Sequence, residues 1–172
     1  TASKLKWAKD NEPEIYNRTH KFMLPGDYIA YRFSGKMQTT VSGLSEGIFW
    51  DFKENGIADF LLAYYGVDKK LIPELVPTFG LQSEVSATGE AESGIKKGTP
   101  ILYRAGDQPN NAMTLNVFNP GEVAATGGTS GVVYAVTDNL SVKEGARVNN
   151  FAHVNYTNDQ KRIGKLLNIN GA

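Results

Sequence analysis

Two short stretches hold residue types that could do chemistry together. The first is Tyr103-Arg104-Ala105-Gly106-Asp107-Gln108, where an apolar run, Thr99-Pro100-Ile101-Leu102-Tyr103, delivers one carboxylate beside a glycine. The second is Thr126-Gly127-Gly128-Thr129-Ser130-Gly131, a glycine loop with hydroxyls that follows another apolar run, Gly121 to Ala125. A carboxylate at a strand end can accept a hydrogen bond from an alcohol and lie close to metal-bound phosphates. Gln108 adds a donor and an acceptor suited to sugar hydroxyls. Backbone N–H groups in a glycine-rich turn form an anion nest, and Thr129 and Ser130 add donors. An acceptor-orienting acid and a phosphate loop are the two halves of a phosphoryl-transfer site. Each stretch also has a purely structural explanation. Gly106-Asp107 can simply turn the chain, and Gly127 to Gly131 can close a tight hairpin. No lysine follows the glycines, so the loop is not of the Walker A type.

The elements that must position these residues follow from pattern. Ser3 to Lys9 reads as a short helix capped by Ser3, and Pro13 starts another turn. Lys21 to Leu24 reads as a short buried strand. Pro25 to Phe33 has helical spacing closed by Ser34-Gly35. Thr39 to Phe52 reads as a glycine-punctuated loop leading into a strand, Gly47 to Trp50. A helix is predicted over Ile57 to Tyr65, with Ile57, Phe60, Leu61, Tyr64 and Tyr65 as its inner stripe and Gly66 as its stop. Lys69 to Leu75 reads as a helical turn, Ser86 to Gly98 as a helix, and Asn110 to Phe118 as helical. Glu122 to Thr126 and Gly131 to Val136 form a predicted hairpin, and Val148 to Tyr156 and Arg162 to Ile169 supply further strands. The pattern changes near Asn119-Pro120-Gly121, which places a domain boundary there.

Bulk properties narrow the classes. The 172 residues are 41% hydrophobic and 21% charged, values of a globular chain. Eighteen basic and eighteen acidic side chains cancel, so no basic footprint for nucleic acid is present. No apolar run is long enough to span a bilayer. There is no cysteine, hence no disulfide or thiolate metal site. His20 and His153 stand alone. His153 alternates with Phe151 and Asn155 and reads as a surface or satisfied strand histidine. Tyr64-Tyr65 reads as core. The chain begins at Thr1 inside a helical pattern and ends at Ala172 after an apolar run, and it reads as an excerpt of a longer protein.

Several runs, in order, resemble the signatures of the FGGY carbohydrate kinases. Lys4-Leu5-x-Trp7, with Asp10-Asn11-Glu12-Pro13, is similar to the first of them. Leu24-Pro25-x-Asp27-Tyr28 followed by Arg32-Phe33-Ser34-Gly35 is similar to a second, and Ile72-Pro73-Glu74-Leu75-Val76 to a third. Gly98-Thr99-Pro100 with Gly106-Asp107-Gln108, and Gly128-Thr129-Ser130-Gly131, complete the set. Within the family the chain resembles most the bacterial members acting on D-xylulose, of the Bacteroides type. The resemblance implies an α/β, actin-like or ribonuclease H-like fold. Residues 1–119 would be the later part of the N-terminal, sugar-binding domain, and residues 120–172 the start of the C-terminal, ATP-binding domain.

The same resemblance implies that Asp107 is the catalytic base and that Gln108 touches the sugar. Gly128, Thr129, Ser130 and Gly131 would hold the phosphates of ATP, and Mg²⁺ would reach Asp107 through those phosphates. It implies a cytoplasmic enzyme whose partners are a sugar and ATP, with a homodimer as one compatible assembly and no role for nucleic acid or membrane. Gln108 is what glycerol kinases carry where many xylulose kinases have Asn. Glycerol or ribulose is therefore the alternative substrate, and a non-catalytic carbohydrate-binding module the alternative class.

Overall fold

A computed structural model describes residues 1–128 and 130–170, with backbone only for Ser130, Ile169 and Asn170. The chain forms two compact units, Thr1–Arg104 and Ala105–Ala172.

The first unit opens with α1 (Ala2–Asn11) and α2 (Pro13–Arg18), the latter started by Pro13 at its first position. Next is α3 (Pro25–Ser34), entered through Pro25 and stopped by Gly35 in the left-handed conformation, φ 73°. The two-residue β1 (Gln38–Thr39) leads to α4 (Val41–Glu46), where the Thr40 hydroxyl accepts from Gly43 N–H at 3.2 Å as an N-cap. After β2 (Trp50–Asp51) and β3 (Gly56–Ile57) comes α5 (Asp59–Tyr65), closed by left-handed Gly66. A single 3₁₀ turn, Lys69–Leu71, precedes β4 (Glu74–Leu75), which runs parallel to β1. Then come β5 (Phe79–Glu84), α6 (Ala87–Ser93) and β6 (Pro100–Tyr103), with β6 antiparallel to β5. Ser86 caps α6 by accepting from Gly89 N–H at 3.0 Å. A Cβ at Gly89 would collide with the Phe33 carbonyl, so α6 can lie against the end of α3 only with glycine there. The apolar core of this unit joins Ala2, Leu44, Phe49, Leu62, Leu71 and Ile72.

The second unit is α7 (Asp107–Thr114) with one antiparallel sheet of β7 (Val123–Gly127), β8 (Ser130–Thr137), β9 (Val148–Ala152) and β10 (Ile163–Asn170). The spatial order is β7-β8-β10-β9. Ala112 of α7 and Ala124 of β7 meet Tyr134, Val136, Phe151 and Leu166 in its core. Small residues on the facing elements let α7 lie close to the sheet.

Several sequence expectations need correction. Lys21–Leu24 is not a strand but an irregular, half-buried segment tied by Phe22 N–H to the Leu71 carbonyl at 3.0 Å. The stretch after Thr39 is not a loop, because Thr40 caps α4 and Leu44 anchors it in the core. Around it, Ile48 takes φ 64°, a strained value for a β-branched residue, and turns the chain so that Phe49 is fully buried. In α5 the inner residue is Leu62, flanked by half-buried Leu61 and Tyr65. Phe60 and Tyr64 point outward, at 67% and 82% exposure, so Tyr64 is not core. Among the described residues no helix is long and apolar enough to cross a membrane.

Candidate functional site

Asp107 is the first residue of α7, with Gly106 as N-cap in extended conformation. An acid in the first turn is favoured by the helix dipole. The carboxylate is exposed and accepts from Gln108 N–H at 2.6 Å. Pro109 has no N–H, and Asn110 N–H is bonded to the Gly106 carbonyl at 3.1 Å. The start of this helix therefore presents an acceptor, not a row of free donors. That suits orienting a hydroxyl better than binding an anion. Gln108 is half-buried beside it.

The glycine stretch is a hairpin turn. The β7–β8 ladder runs from Val123↔Ala135 to Gly127↔Gly131. Gly127 and Gly128 are exposed, Ser130 opens β8 and Gly131 is half-buried. Thr129 lies outside the described residues. Gly127 needs no special backbone conformation, and a Cβ there would meet nothing within 4 Å. Neither packing nor φ asks for glycine at this position. Asp107, Gln108 and the hairpin all belong to the second unit, where α7 packs on β7.

The residues that pattern reading overlooked are buried ones. In the first unit Arg104 is 7% exposed and Asp27 5%. Arg104 Nε donates to Gln82 Oε1 at 2.8 Å and Nη1 to the Gln38 carbonyl at 2.9 Å, with Asp27 Oδ1 at 3.5 Å. Burial pushes the Asp27 carboxyl up, against the Thr39 hydroxyl, the Arg104 charge and Leu24 N–H, which pull it down. Burial likewise lowers the Arg104 guanidinium, against the Asp27 charge. An ion pair alone would move both the other way, so desolvation outweighs the pairing here. A charge on each of two otherwise apolar stretches was the available signal, but the partners are far apart in sequence.

In the second unit His153 is fully buried, so it is satisfied but not at the surface. Its Nδ1 lies 3.1 Å from the Tyr134 hydroxyl and its Nε2 2.9 Å from the Val117 carbonyl. His20 is exposed on an irregular segment. Among the described residues no group of three or more His, Cys, Asp or Glu could hold a metal ion.

Comparison with known proteins supplies the family. Residues 1–114 match the FGGY family of carbohydrate kinases, N-terminal domain. A xylulose kinase of Staphylococcus xylosus is 25% identical over 153 residues, covering 89% of this chain and 32% of that protein. The crystal structure of a xylulose kinase from Brucella ovis superposes with TM-score 0.87 at 26% identity, over 100% of this chain and 35% of its own. A Plasmodium falciparum glycerol kinase with ADP, at TM-score 0.85, 17% identity and coverage of 99% and 34%, shows the fold alone. The chain thus spans about a third of the length of these relatives. Its mixed α/β architecture is part of the actin-like fold of such kinases. With the family match covering most of its length, this chain belongs to the FGGY family of carbohydrate kinases.

Proposed function

We propose that the whole protein transfers the γ-phosphoryl group of ATP to a hydroxyl of D-xylulose, giving D-xylulose 5-phosphate. The observation that supports this reading is an exposed, acceptor-presenting Asp107 at the start of α7, in the same unit as the glycine hairpin between β7 and β8. Asp107 accepts the hydrogen bond of the attacking hydroxyl, orients its oxygen and takes its proton as the bond to phosphorus forms. Gln108 binds a neighbouring hydroxyl. Backbone N–H groups of Gly128, Thr129, Ser130 and Gly131, with the two hydroxyls, hold the phosphates. The exposed Asp107 carboxylate fits a Mg²⁺ that would be held by the phosphate oxygens and reach Asp107 through them. The ion would neutralise charge on the transferring group.

In domain terms, residues 1–119 close the N-terminal domain and residues 120–172 open the C-terminal one. The helix α7 is of interest in that scheme: the family match runs through it to residue 114, whereas it packs with the unit that starts at Ala105. This 172-residue piece alone should be inactive, since it spans about a third of its relatives.

Gln108 favours a second reading, phosphorylation of glycerol. A coupled ADP assay of the full-length protein on xylulose, ribulose, glycerol and gluconate decides between them. Xylulose is expected to give the highest kcat/KM. Higher kcat/KM on glycerol would transfer the reading to that substrate. Binding of sugar with no turnover on any of the four would leave a carbohydrate-binding module.

A further inference from the structure

The peptide group of Val117 is a junction. Its N–H bonds back to the Ala112 carbonyl of α7 at 3.0 Å, across Asn116 in the left-handed conformation at φ 58°, which makes Val117 part of the helix terminus. Its carbonyl accepts from His153 Nε2 at 2.9 Å. With Nε2 donating, the neutral ring uses Nδ1 to accept the Tyr134 O–H at 3.1 Å. Tyr134 is the fourth element of the chain of contacts: it sits in β8, paired with Ala124 of β7, and its ring covers Gly164 of β10 so closely that a Cβ there would overlap it. His153 is itself fixed through its N–H to the Arg162 carbonyl at 2.9 Å. The next residues are held too. Phe118 and Asn119 donate their N–H groups to Glu122 Oε2 at 2.6 and 2.8 Å, and Asn155 donates to the Phe118 carbonyl at 3.1 Å.

One end of α7 is thus bolted to the strand that leaves the glycine turn, and Asp107 sits at the other end. We propose that His153 is a positioning residue for phosphoryl transfer: by bridging Tyr134 to the Val117 carbonyl it sets the tilt of α7 on the hairpin, and with it the place of Asp107. The proposal rests on the kinase reading above. A helix of this length spans about 12 Å, so a tilt of about 5° moves its far end by about 1 Å. A displacement of that size at a reacting group costs on the order of a hundredfold in rate.

The test uses the full-length protein, kcat and both KM values from titrations of sugar and ATP, and hydrogen exchange at the α7 amides. Tyr134→Phe removes one oxygen and leaves the Val117 bond. His153→Ala removes both bonds. His153→Gln can place its amide N–H where Nε2 was and so restore the bond to Val117. We expect His153→Ala to lower kcat on the order of tenfold to a hundredfold, with both KM values nearly unchanged and faster exchange in α7. His153→Gln should recover most of the loss, and Tyr134→Phe should fall between. A folded His153→Ala protein with wild-type kcat overturns the proposal, as does a His153→Gln protein that is folded but no better than His153→Ala. If His153→Ala does not fold, Tyr134→Phe with unchanged kcat and exchange overturns it. A wild-type protein inactive on every sugar tried overturns the kinase reading and this proposal together, which separates that failure from the others.

Discussion

Asp27 and Asp107 are both acids in the first turn of a helix that starts beside a proline or a glycine, and the fold uses them in opposite ways. Asp27 is buried beside Arg104, with the Thr39 hydroxyl and Leu24 N–H as further partners. Asp107 faces solvent and holds one bond, to its own neighbour. The difference teaches what a carboxylate needs for each task. A structural acid is enclosed and its lone pairs are spoken for, so it has none to offer a substrate. An acid for proton transfer must keep lone pairs available and reachable.

The sharpest way to break this contrast is to exchange the consequences. In the full-length protein Asp107→Asn should cost turnover on the order of 10²- to 10⁴-fold while leaving the urea midpoint where it was. Asp27→Ala should do the reverse, destabilising by about 3–5 kcal/mol because it strands the buried Arg104 charge. Near-normal turnover of Asp107→Asn in the coupled assay would remove its role as base. If Asp27→Ala and Asp107→Asn shifted the midpoint equally, the distinction itself would be wrong.

A smaller effect concerns the second unit alone. Gly164→Ala pushes a methyl group into the Tyr134 ring and should cost about 1–3 kcal/mol, as overpacked cores do. A variant as stable as the parent would mean that the ring has room to move. The pH dependence is expected to follow His153. Burial holds its pKa below the ordinary value of 6.5, so the unfolded chain takes up a proton that the folded one resists. Stability is therefore full above pH 6.5 and falls as the pH drops through 6.5 toward the folded value. Chemical denaturation at several pH values should show this slope in the parent and its loss in His153→Gln. The smallest change is at Ile48. Replacing it with Gly should relieve its left-handed strain and stabilise by about 1 kcal/mol, read as a higher thermal midpoint.

Elements marked by local chemistry were legible in the sequence. Pro25 and Gly35 bound α3, Ser86 opens α6, which stops at Gly94 and not at the expected Gly98, and the glycines between two β-branched runs gave the β7–β8 hairpin. Asp107 and the turn could be picked out for the same reason, since both sit at punctuated ends. What escaped depends on distant partners. The α4 segment is rich in serine and glycine, poor helix formers, and is held by Thr40 and by burial of Leu44. Periodicity put Phe60 and Tyr64 inside, but the packing partners turn Leu62 inward instead. The Arg104 and His153 networks join residues 19 to 77 positions apart, through contacts no local pattern encodes.

The ring of Tyr134 lying over Gly164 has a consequence for how this region can change over evolutionary time. The two positions are diagonal neighbours on one sheet face, since Tyr134 pairs with Leu166. A side chain gained at 164 while the aromatic stays at 134 carries the overpacking cost, whereas the aromatic can be lost first without collision. Substitution at this pair should therefore run in one order. Among relatives, glycine without the tyrosine is the favoured intermediate, and tyrosine diagonal to any larger residue is a destabilised one.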